Sequence, residues 1–222
     1  MYQAPGEFVE KYYLDDLAER ESVESRWSFA WLKEVKGRSV LSVGCGPNFF
    51  DDVQFFDKVP TDFVGIDINK NNIEFLKQSK HPEVLKWKNF LADSGVKTEV
   101  LVRDVKAVSP DFIGRFDTIY AIGVLGMFDR DDTIKVFKNL NQYLKPGGRV
   151  LDLDWTDSRL PEEKLKERES FDWYSKRGPS VAEIGELFAE TGFKILKHEV
   201  YNVPNPADYG WGKIYGYLAE KI

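Results

Sequence analysis

Five short apolar runs, separated by stretches of helical periodicity, limit what this chain can become. SVLSVG (39–44), DFVGID (62–67), TEVLVRD (98–104), RFDTIYAIG (115–123) and GGRVLDLDW (147–155) have strand length and strand composition. Most are near-continuous in apolar character, as expected of parallel strands covered on both faces. NNIEFLKQ follows the second run, and HPEVLKWKNFLADSG adds another helix, with Pro82 in its first turn and Gly95 at its end. DDTIKVFKNLNQYLKPGG places Ile134, Phe137, Leu140, Asn141 and Leu144 on one side; Asp129 to Asp132 supply its caps and first-turn acids, and Gly147 and Gly148 are expected to stop it. Ser180 and Glu183 fit a capping box ahead of IGELFAETGF, which Gly192 ends. FKILKHEVYNV and KIYGYLAEK close the chain as an antiparallel pair. Strands alternating with helices predict an α/β fold with a doubly wound sheet.

Residues 1–36 read as a helical cap, with Phe8, Tyr12, Leu14 and Leu17 near helical spacing, an apolar face continued by Trp27, Ala30 and Trp31, and Gly37 as its end. Residues 37–222 carry the strand–helix pattern, and 222 residues suit one compact domain overall. A net charge of -6 argues against nucleic acid as the main partner, because phosphate contacts need a clustered basic face. The lone Cys45 excludes an internal disulfide, and His81 and His198 have no metal-ligand spacing. No apolar run approaches a membrane span, and the acidic start MYQAPGEFVEKYY is no signal peptide, so a cytoplasmic protein without a membrane partner is expected.

The first strand runs into VLSVGCGPNFFDD, where Gly44 and Gly46 let the backbone turn sharply and approach a ligand. A helix N-terminus is expected next, with amide donors for an anion or carboxylate. In an open parallel sheet this is the switch point where ligands bind. Asp67 ends the second strand, placed to accept both hydroxyls of a ribose. Asp104 ends the third, placed for an adenine amino group, with the Val105 amide facing a ring nitrogen.

With these residues in view, the chain resembles the class I S-adenosylmethionine-dependent methyltransferases from about residue 36 to its end. VLSVGCGPN resembles the family's first motif, GIDIN its second, VRDV its adenine turn, and FDTIYAIGVLGMF its fourth strand and following loop. LNQYLKPGGRVLDLD is the most specific stretch, and ELFAETGFKIL resembles a later helix and the sixth strand. The resemblance implies a Rossmann-like, seven-stranded, mostly parallel sheet in the order 3-2-1-4-5-7-6, strand seven antiparallel, with helices on both faces. It implies S-adenosylmethionine as cofactor and S-adenosylhomocysteine as product. It places the cofactor against Gly44, Cys45, Gly46, Asn48, Asp67, Ile68, Asp104, Val105, Ala121, Ile122 and Gly123, with Tyr13 closing over it. The chain departs from the family at Ser42, where an acid is usual, and at Asn48, where glycine is usual. Asp51 and Asp52 either cap the following helix or replace the missing charge.

A sulfonium methyl group is already electrophilic, so the protein must align an acceptor and exclude water; a base is needed only if a proton must leave early. AIGVLG after strand four is not the signature of amino methyltransferases acting on DNA bases or protein glutamine. Asp152 and Asp154 are available to a metal, but strand four ends without an acid, so no metal is expected. The acceptor pocket is expected from Tyr12, Trp155, Tyr174 and Trp211, with Phe171, Trp173 and Tyr209 near them, since aromatic faces suit flat rings and cations. Arg168, Lys176 and Arg177 read either as holders of an acidic group or as a solvated face. The leading expectation is methyl transfer to nitrogen or oxygen of a small molecule. Aminocarboxypropyl transfer, a non-catalytic binding module and a nucleic-acid methyltransferase stay open, as do the accepting atom and the oligomeric state.

Overall fold

The computed structural model describes residues 9–11, 13–14, 23–156, 180–202 and 213–222. Strand β1 (Ser39–Val43) is buried at every position, so it sits mid-sheet. It pairs in parallel with β2 (Asp62–Asp67) on one side and β4 (Phe116–Ile122) on the other. Strand β3 (Lys97–Val102) pairs with β2 and forms an edge. Strand β5 (Leu144–Thr156) pairs in parallel with β4 and antiparallel with β7 (Lys213–Lys221), and β6 (Phe193–Asn202) closes the other edge against β7. The order is β3-β2-β1-β4-β5-β7-β6, as the resemblance implied.

Residues 9–11 and 13–14 are helical, and α1 (Val23–Trp31) continues into a 3-10 turn at Leu32–Glu34. Helices α2 (Lys70–Gln78) and α3 (Pro82–Asp93) both lie in the β2–β3 crossover. Helix α4 (Arg130–Tyr143) starts where Asp129 accepts a hydrogen bond from the Asp132 amide. Helix α5 (Val181–Glu190) starts with the reciprocal Ser180–Glu183 capping box. One core fills the face under α4 and α5, where Phe137 and Phe188 stack at 4.3 Å. The other fills the opposite face, where Phe49 stacks on Phe63 at 4.1 Å. Truncating either Phe63 or Phe137, both fully buried, to Ala would cost about 3–5 kcal/mol.

Two expectations are corrected. Helix α4 stops at Tyr143, before Gly147 and Gly148, because Pro146 keeps Lys145 out of helical geometry. The glycines lie instead within β5, where the register against β4 shifts between Phe116 and Thr118. The chain after β1 also forms no α-helix. Asp51–Phe55 is a short 3-10 segment: residues 49–53 are buried and Gln54 alone of this stretch is exposed, which gives no continuous polar face for an amphipathic helix.

The amino ends of the strands are tied by charge. Asp117 accepts from the Arg38 and Ser39 amides and pairs with Lys145 at 2.7 Å, and Arg115 grips Asp62 with two nitrogens, each at 3.1 Å. The carboxyl ends are left for loops.

Candidate functional site

The turn after β1 is built by backbone geometry that only glycine adopts without strain: φ is +60° at Gly44 and +54° at Gly46. The two glycines differ in surroundings. A Cβ on Gly44 would lie 2.3 Å from the Val124 side chain, so Val124 fills that place from the turn after β4. A Cβ on Gly46 would meet nothing nearer than the Gly44 carbonyl oxygen at 4.0 Å. Open space above Gly46 is room for a ligand.

The amide between that open face and β2 is already committed. Gly46 N donates to Asp67 Oδ2 at 2.9 Å, Asn69 N donates to Asp67 Oδ1 at 2.7 Å, and Asn72 Nδ2 donates to Asp67 Oδ2 at 3.1 Å. A carboxylate offers about four acceptor positions, so one is left beside Oδ1. Ile68 is half-buried just beyond. Asn72 was not singled out from the sequence; its signal was a polar residue one helical turn into α2, facing back to the strand end.

Asp104 is half-buried beyond β3, and its Oδ1 accepts from the Lys106 amide at 2.9 Å. Val105 is buried, and its carbonyl accepts from Asn139 Nδ2 at 3.0 Å, which braces this turn against α4. Ala121 is fully buried at the end of β4, Ile122 is half-buried, and the Gly123 amide donates to the Leu153 carbonyl at 2.8 Å. The ends of β1 to β4 therefore bring together the open glycine face, Asp67 and Asp104.

Cys45 is buried beside this group, and burial together with the charges of Asp67 and Asp52 pushes its thiol up, away from thiolate chemistry. The Asn48 carbonyl accepts from the Asp51 and Asp52 amides and starts the 3-10 segment. The N-cap position of that segment is Phe50, not either acid. Asp51 Oδ2 accepts from Tyr13 Oη at 2.7 Å, and Asp52 Oδ2 accepts from Tyr120 Oη at 2.7 Å. Tyr120 stands opposite Ser42 in the β1–β4 ladder, so Asp52 is linked through a phenol to the face of the sheet where Ser42 lies. Tyr13 is fully buried against Phe75 and His81, which pins the N-terminal helical residues onto the glycine turn.

Beyond β4 the character changes. Asp152 and Asp154 lie two residues apart on β5, both buried, with Tyr217 and Tyr215 opposite them on β7. Asp154 Oδ2 accepts from the Gly126 amide at 2.5 Å. Burial, and then the neighbouring Asp154 charge, pushes the Asp152 carboxyl well above the usual carboxylate range. Among the described residues no group of three or more His, Cys, Asp or Glu side chains is arranged to hold a metal, and no helix is long and apolar enough to cross a membrane. His198 is exposed on β6 and stacks on Tyr217 at 4.5 Å. Of the expected acceptor pocket, the Trp155 backbone lies in β5 opposite Ile214, while its side chain and residues Tyr12, Phe171, Trp173, Tyr174, Tyr209 and Trp211 fall outside the described residues. Arg168, Lys176 and Arg177 fall outside them too.

Comparison with known proteins agrees with this geometry. The family described as "Methyltransferase domain" matches residues 14–198. A tRNA U34 carboxymethyltransferase of Hydrogenovibrio crunogenus is 26% identical over 191 residues, 79% of this chain and 52% of the relative. Phosphoethanolamine N-methyltransferase 1 of Zea mays is 29% identical over 198 residues, 86% of this chain and 36% of the relative. This chain thus spans about half of the first relative and about a third of the second. The structure of magnesium protoporphyrin IX methyltransferase from Synechocystis, solved with bound S-adenosylhomocysteine, has a TM-score of 0.60 at 17% identity, covering 93% of this chain and 84% of that one; it shares the fold.

Proposed function

The chain belongs to the S-adenosylmethionine-dependent class I methyltransferases, and from that premise we propose that it methylates a nitrogen or oxygen of a small-molecule acceptor. The observation that carries the cofactor half is the open face of Gly46 joined to Asp67 by a hydrogen bond. S-adenosylmethionine supplies a sulfonium-bound methyl group as the electrophile.

The protein's part is positioning. Asp67, with a remaining acceptor position beside Oδ1, would hold the ribose hydroxyls, and Asn72 beside it would assist. Asp104 and the Val105 amide meet the adenine edge, held level by Asn139. Gly44, Cys45, Asn48, Ile68 and the 121–123 strand end would line the cofactor's path between these anchors. Tyr13, on Asp51, covers the turn and would keep water from the reacting atoms.

A small acceptor is supported by charge. The chain's net charge is -6, which is the wrong sign for a phosphate backbone.

Calorimetric titration with S-adenosylmethionine and S-adenosylhomocysteine tests the site. Asp67→Ala is expected to weaken both on the order of 100-fold, about 3 kcal/mol for two charge-assisted hydrogen bonds. Turnover of methyl-labelled cofactor against metabolite fractions and against tRNA then tests the acceptor. Label entering tRNA would overturn the small-molecule reading, and methylthioadenosine as by-product would replace methyl transfer by aminocarboxypropyl transfer. A chain that binds neither cofactor form would be a binding module on this fold.

A further inference from the structure

Asp152 is fully buried, and among the described residues neither of its carboxyl oxygens has a hydrogen-bond partner. The Tyr215 hydroxyl, on a side chain 1% exposed, has none either. The β5–β7 register puts Asp154 directly opposite Tyr215 and Asp152 directly opposite Tyr217, so both acids and both phenol rings share one face of the sheet. The acids stand about 7 Å apart along the strand. The Tyr215 phenol lies within electrostatic reach of both.

This cluster adjoins the cofactor groove. Asp152 stands opposite Ala121 on β4, one residue before the half-buried Ile122. Asp154 holds the Gly126 amide, in the turn whose Val124 closes on Gly44. The same turn therefore touches the glycine loop on one side and the acid pair on the other.

Unpartnered polar atoms at full burial are costly, an ionised carboxylate most of all. Protonating Asp152 removes the charge but leaves its new donor and its carbonyl oxygen without partners. A hydroxyl brings one donor and no charge. An amino group brings two or three N–H donors and, when protonated, a positive charge, which matches two free carboxyl oxygens, a second acid and a phenol oxygen. Building on the methyltransferase reading above, we infer that Asp152, Asp154 and Tyr215 receive the amino group of an amine, and that the acceptor of this enzyme is an amine.

Methylammonium is the smallest probe of that chemistry. Titrated into the full chain saturated with S-adenosylhomocysteine, it is expected to shift the Gly126 amide resonance saturably, whereas methanol and tetramethylammonium, which lack either charge or N–H donors, do not. Asp152→Asn keeps the shape and should weaken methylammonium by at least about tenfold; Tyr215→Phe should weaken it severalfold. Both variants should keep S-adenosylhomocysteine affinity within about twofold, which separates loss of the amine site from loss of fold. An equal response to methanol, no response to methylammonium, or an Asp152→Asn curve that overlays the wild type would overturn the inference while leaving methyl transfer in place. Failure of the wild type to bind S-adenosylhomocysteine would remove the methyltransferase reading and this inference together.

Discussion

Two buried acids toward the carboxyl ends of β2 and β5, strands separated by β1 and β4, have opposite surroundings. Asp67, at the end of β2, receives hydrogen bonds from Gly46 N, Asn69 N and Asn72 Nδ2. Asp152, near the end of β5, receives none. The first is fixed before any ligand arrives, by the loop and helix that the cofactor will touch. The second lies, among the described residues, beside Asp154 and the phenols of Tyr215 and Tyr217, none of which donates to it. In the reading proposed above, the cofactor half of the site is preorganised by the protein, and the acceptor half is left chemically incomplete.

Gly44 and Val124 form the seam between these halves, and breaking it should have the largest effect. Gly44→Ala combines a left-handed backbone with a contact at 2.3 Å, and is expected to cost about 3 kcal/mol of stability. Gly46→Ala shares the backbone strain but not the contact, so about 1–2 kcal/mol is expected, with a larger loss of cofactor affinity. Urea midpoints for the two variants decide the matter. Equal destabilisation would mean that Val124 yields, and the halves are not coupled through it.

The buried tyrosines give a sharper contrast. Tyr120 and Tyr215 are each 1% exposed, but only Tyr120 donates to an acid, Asp52. Tyr120→Phe should cost about 2 kcal/mol, since the bond is to a charged group. Tyr215→Phe should change stability by less than about 0.5 kcal/mol, because no bond is lost. Thermal unfolding of both checks this; a large loss in Tyr215→Phe would show that its hydroxyl already has a partner.

The preorganised half was legible in the sequence because it rests on features with local signatures. Gly44 and Gly46 mark a turn, Asp67 and Asp104 end apolar runs, and the runs themselves set the sheet. What failed to show was set by tertiary contact. FFDDV after the loop reads as a helix start, yet the stretch is buried from Phe49 to Val53 and forms only a 3-10 segment. Asp51 and Asp52 find phenol donors 38 and 68 residues away, a pairing no local pattern announces. LDLDW showed two acids in a strand, but that Asp152 lacks a partner depends on β7, which arrives some sixty residues later in the chain and contributes phenols where a cation would have paired it.

The last contrast separates the two kinds of acid by pH. Asp62, at the amino end of β2, is pushed up by burial, but hydrogen bonds from Arg115 and Ser39 and the Arg115 charge outweigh this and hold it below the usual range. Its contribution to stability is present above the unfolded value of about 3.9 and is lost as pH falls through the lowered folded value. Asp152 has the opposite sign. Between about 3.9 and its raised folded value the native state holds a proton that the unfolded chain has released, so rising pH erodes stability by up to about 1.4 kcal/mol per pH unit. Asp152→Asn removes that titration. The variant should therefore match the wild type near pH 4 and gain on it steadily toward neutral pH, in unfolding curves taken at constant ionic strength. Parallel pH profiles would mean that Asp152 is ionised and already paired in the folded chain, and the two ends of the site would then be alike.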